Sequence, residues 1–143
     1  MTITRTMIAT VSAVLLSTVY ANAGSTPAPE GAKVYFINLK SGDKVESPVT
    51  VLFGLEGMGV APAGTEKEKT GHHHLIINEK IEGDELNEPI PSDDKHRHFG
   101  GGQTQTTVEL PPGEHTLQLV LGDWSHIPHN PPVMSERITI TVE

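Results

Sequence analysis

Apolar and polar residues alternate in four segments of the chain, the period of a β-strand with one buried face. In Lys33–Leu39, Val34 and Phe36 alternate with Tyr35 and Ile37. Val49, Val51, Phe53 and Leu55 share one face of Val49–Leu55. In His115–Leu121, His115, Leu117, Leu119 and Leu121 point one way and Thr116, Gln118 and Val120 the other. Ile138, Ile140 and Val142 share a face in Arg137–Val142. Two further strands are predicted over His72–Asn78 and Gln103–Leu110, with turn sequences such as Ser41-Gly42-Asp43-Lys44 and Pro111-Pro112-Gly113-Glu114 between segments. No helical period follows residue 24. The pattern predicts an all-β domain over 33–143, an immunoglobulin-like or Greek-key β-sandwich. Its core should gather Phe36, Val51, Phe53, Leu117, Leu119, Leu121, Ile138 and Ile140.

The start of the chain follows a different pattern. Arg5 precedes an apolar run over Met7–Val19, and Ala21-Asn22-Ala23 has the small residues of a cleavage site. A run of about 13 residues is shorter than the about 20 needed to span a bilayer. Residues 1–23 therefore read as a secretory signal peptide. Residues 24–32, rich in Pro and Ala, read as a flexible lead-in. The product is expected to be periplasmic or secreted, with no membrane span after cleavage. Glu79–Gly102 is long for a connection inside a compact domain; its stretch Glu79–Lys95, acidic and broken by Pro89 and Pro91, is expected to be the most mobile part.

Composition narrows the chemistry. The formal net charge is −8, and one unit more negative without Arg5. That balance argues against nucleic acid and for attraction of cations. There is no cysteine, which excludes thiolate-based zinc, iron–sulfur and blue-copper sites. Any metal must be held by His, carboxylate, Met or backbone oxygen.

The chain has eight histidines. His72 and His74 stand two apart in a predicted strand, so they share a face, and His73 takes the other. Such a pair can place both imidazoles on one ion, held by stiff backbone. His98 follows the long loop, where Phe99 anchors the chain and three glycines permit close backbone approach. His126 and His129 lie in a loop stiffened by Pro128, Pro131 and Pro132. These five are the candidate ligands. Asp123 is the candidate partner for a ligating imidazole, and Met134 a candidate thioether near the site. His96 reads as a polar loop residue and His115 as a strand-entry residue that packs.

Together these motifs resemble a family of small exported bacterial domains of unknown function. The resemblance rests on Gly71-His72-His73-His74-Leu75, His98-Phe99-Gly100 with Gln103-Thr104, Pro112-Gly113 with His115-Thr116-Leu117, and Gly122-Asp123 with His126, Pro128-His129 and Pro131-Pro132-Val133. It implies an immunoglobulin-like sandwich and no particular reaction. The leading expectation is a periplasmic module that binds copper or zinc. One alternative is a metal-dependent enzyme. It would be hydrolytic or similar to copper–zinc superoxide dismutases, which the His-x-His strand pair in an exported sandwich resembles, though here without cysteines. Another is an interaction domain without metal. No residue pattern names a catalytic mechanism, so a binding module is preferred to an enzyme.

Overall fold

The computed structural model describes residues 24–143; the expected signal peptide, 1–23, lies outside the described residues. Two sheets face each other, as the alternation predicts. The smaller holds β1 (Lys33–Phe36), β3 (Val49–Glu56) and β7 (Gln105–Val108), in the order β1-β3-β7. The larger runs β2-β9-β8-β5-β4. Its members are β2 (Lys44–Val45), β9 (Ile138–Val142), β8 (Gly113–Gly122), β5 (Thr70–Ile77) and β4 (Gly59–Val60). A further short strand, β6 (His96–His98), pairs with β5. Most neighbours are not consecutive in sequence, so the chain crosses repeatedly between the sheets.

The core between the sheets comes from the predicted alternation. Val49, Val51 and Phe53 from β3 meet Leu75 and Ile77 from β5, Leu117, Leu119 and Leu121 from β8, and Ile138, Ile140 and Val142 from β9. Phe36 is only partly buried and packs against this core from its edge.

The outer face of the larger sheet is covered as well. Ile76 and Val120, which point away from the main core, pack with Ile81 and Ile90 in a second apolar cluster, flanked by Leu86 and Met134. Residues 79–95, expected to be mobile, form this cover. They contain a short 3-10 helix (Gly83–Asn87) and sink Ile81 and Ile90 into the sheet. Apolar residues spaced nine apart carry neither strand nor helix period, which is why alternation did not reveal a second cluster.

The segment expected as a flexible lead-in is docked. Pro27 bridges Asn130, the Ala28 N–H donates to the Asn130 carbonyl at 2.9 Å, and the Thr26 carbonyl accepts from the Asn130 N–H at 2.9 Å. Among the described residues no helix is long and apolar enough to cross a membrane.

Candidate metal centre

Strand period places His72 and His74 on the outer face of β5, beside Ile76, and both are fully buried. β6 then supplies a third ring. Its pairing with β5 sets His98 opposite His74 and Arg97 opposite Leu75. The flanking bonds, from the Ile77 N–H to the Lys95 carbonyl and from the Phe99 N–H to the His73 carbonyl, make His74–His98 a non-hydrogen-bonded pair. In antiparallel sheets that is where facing side chains come closest. The three ring centroids form a nearly equilateral triangle: His72–His74 4.7 Å, His72–His98 5.0 Å and His74–His98 5.1 Å.

His126 closes the group from the loop after β8. Its ring stands at 85°, 88° and 81° to those of His72, His74 and His98. Asp123 makes the turn that presents it. The carboxylate accepts from the Ser125 N–H at 2.9 Å, the Ile127 N–H at 3.0 Å and the Thr26 hydroxyl at 2.6 Å. The Asp123 carbonyl accepts from the His126 N–H at 3.0 Å. His126 sits at φ 71°, in the left-handed region, as the turn requires. Burial pushes the Asp123 carboxyl up, but the hydrogen bonds from Thr26, Ile127 and Ser125 outweigh it and hold it below the usual range. Asp123 thus acts on His126 through the loop backbone, not by accepting an imidazole N–H as its place in the sequence suggested.

Glycines make room for the rings. Gly122 pairs with His72 across β5 and β8, and a Cβ there would stand 2.6 Å from His74 Cε1 and 3.0 Å from its Nδ1. A Cβ on Gly100 would collide with the His98 ring.

One ring nitrogen from each of His72, His74, His98 and His126 lies within 4.8 Å of the others. A tetrahedral ion with bonds of about 2.0–2.1 Å needs nitrogens about 3.3 Å apart. The rings would draw together to that spacing around an ion. Several of these nitrogens need a partner. His72 Nδ1, both nitrogens of His74 and His98 Nε2 are buried without a hydrogen bond. The one bond within the group joins His72 Nε2 and His126 Nδ1 at 3.1 Å. Buried polar atoms without partners are costly, and an ion would take up one nitrogen of each ring.

Electrostatics keep the rings in the ligating form. Burial pushes His72 down to about 4, and the neighbouring His98 and His126 push the same way. His74 is down to about 2, through burial first and then His72, His98 and His126. His98 is lowered by burial and by His126. A metal takes neutral imidazole, so no proton must be displaced from these three near pH 7.

The remaining candidates are used elsewhere. His129 is buried with Nδ1 3.2 Å from the Leu121 carbonyl and Nε2 3.1 Å from the Thr70 carbonyl, so both nitrogens face backbone acceptors. It ties the loop to the sheet and is not brought into the group. Met134 packs against the second apolar cluster, not as a fifth donor among the rings. His73 faces the main core beside Phe53, 5.0 Å between centroids. His115 Nε2 donates to the Pro111 carbonyl at 2.7 Å and Nδ1 faces Asn78 at 2.9 Å, a packing role as expected. His96 pairs with Asp93 at the surface.

A protein-family model described as a domain of unknown function (DUF4399) matches residues 51–143, nearly all of β3 and everything after it. All four clustered histidines fall inside the match. No curated protein and no solved structure matches the chain.

Proposed function

The chain belongs to the DUF4399 family of domains of unknown function, and we propose that it is an exported module that binds a single divalent ion of the copper or zinc class. The observation that carries this reading is the convergence of four imidazoles, three of which hold a buried nitrogen without a hydrogen-bond partner. The donor set is all nitrogen. Magnesium and calcium prefer oxygen ligands, and Cu(I) prefers sulfur. Imidazole suits Cu(II) and Zn(II), with Cu(II) bound more tightly in the general affinity order. Export rests on the signal pattern of residues 1–23 and places the module in the periplasm or outside the cell.

Binding is favoured over catalysis because the donors can fill a tetrahedral shell by themselves. A hydrogen-bonded histidine cluster without metal is the competing reading, and it leaves His74 unsatisfied at both nitrogens. Calorimetry of the untagged chain with Cu(II) and Zn(II) near pH 7 separates the two. One ion per chain is expected, with the heat abolished in His74→Ala. No binding in the parent chain leaves the cluster as a hydrogen-bonded network.

A further inference from the structure

The four donors are not equivalent, and the difference points to a ligand beyond the metal. His72, His74 and His98 project from paired strands, and their rings are held by the space over Gly122 and Gly100. Each carries at least one buried nitrogen without a partner. His126 comes from a loop turn at φ 71°, is half-buried, and already pairs its Nδ1 with His72. Three strand-borne rings thus each carry a buried nitrogen without a partner, while the fourth already has its hydrogen bond and can leave by rotating about its own side-chain bonds.

Charge then selects what replaces it. A divalent ion on neutral imidazoles keeps its full charge in a mostly buried place, an arrangement that calls for a counter-charge. Asp123, the carboxylate that acts on His72, is occupied by Thr26, Ser125 and Ile127. His72 and His74 form the floor, whereas His98 and His126, both half-buried, lie on the side open to solvent. With a net charge of −8 the chain would not retain an anion by long-range attraction. It would retain one that bonds the ion directly.

We infer that His72, His74 and His98 form a permanent tripod, and that His126 is a displaceable fourth ligand whose position takes up a small coordinating monoanion. This rests on the metal-binding reading above.

The test uses the full mature chain loaded with Cu(II), with azide as the probe. Copper content is measured first, then azide is titrated while the charge-transfer absorption and the electron paramagnetic resonance spectrum are followed. The parent is expected to hold one copper and to respond saturably to azide. His126→Gly suits the positive φ and is expected to keep its copper and bind azide at least tenfold more tightly, because the position is already open. His126→Asn, which also tolerates that backbone, replaces it should the glycine variant fail to fold by circular dichroism. Copper held without any azide response overturns this inference alone. A folded His126 variant that loses copper as completely as His74→Ala, or binds azide no more tightly than the parent, also overturns it. No copper in the parent overturns both this inference and the metal-binding reading.

Discussion

At the scale of single residues, the three consecutive histidines divide by face. His72 and His74 belong to the candidate centre, while His73 lies in the apolar core with neither ring nitrogen hydrogen-bonded and is pushed down to about 4 by burial. An unsatisfied buried polar group costs about 1–3 kcal/mol. His73→Leu should therefore raise stability by about that amount in a denaturant titration and leave metal affinity unchanged. A destabilised variant would show that the ring has a role in the core. Gly122→Ala tests the opposite side. Its Cβ would press on His74, and a metal affinity at least about tenfold lower, or about 1.4 kcal/mol, is expected in competition with a chelator. Unchanged affinity would mean that the His74 ring lies elsewhere when the ion is bound.

At the scale of elements, β8 was legible because period 2 is a direct consequence of strand geometry. His115, Leu117, Leu119 and Leu121 are all buried as the alternation requires. Leu119→Ala should cost about 2–5 kcal/mol in unfolding free energy; a loss under about 1 kcal/mol would contradict its place in the core. The His72–His74 pair was visible for the same reason. β6 was not, since three residues, His96–His98, are too few to show a period, and their strand state comes from pairing with β5. That pairing is what puts the site on the outer face of the larger sheet. Nor could the choice of His126 over His129 be read from the loop. It depends on the turn made by Asp123 and on the carbonyls of Thr70 and Leu121 that take up His129. The cover over residues 79–95 yields a further test. Ile90 is buried and its N–H donates to the His126 carbonyl at 2.9 Å. Ile90→Ala should expose this segment to limited proteolysis before the strands are cut, and equal protection in the variant would argue against a docked cover.

At the scale of the whole molecule, buried neutral histidines couple stability to pH. His72 and His73 are lowered to about 4 and His74 to about 2, against about 6.5 in the unfolded chain. Between those values the unfolded chain binds more protons, so stability rises with pH. It is complete above about 6.5 and falls as the pH drops from there toward 4. A thermal melting temperature that stays flat from pH 7 to pH 4.5 would contradict the buried neutral rings. A bound ion adds to the same stability, about 2.7 kcal/mol at a hundredfold excess over its Kd. It also joins β5, β6 and the loop after β8, which no covalent cross-link holds together in a chain without cysteine. The central claim, one ion held by imidazoles on the outer face of the larger sheet, is tested most directly by anomalous X-ray scattering from a crystal of the metal-loaded chain. A single strong peak is expected about 2.0–2.1 Å from nitrogens of His72, His74 and His98, with His126 or an exogenous ligand in the fourth position. A peak on the acidic carboxylates of residues 79–95 instead, or none at the histidines, would contradict it.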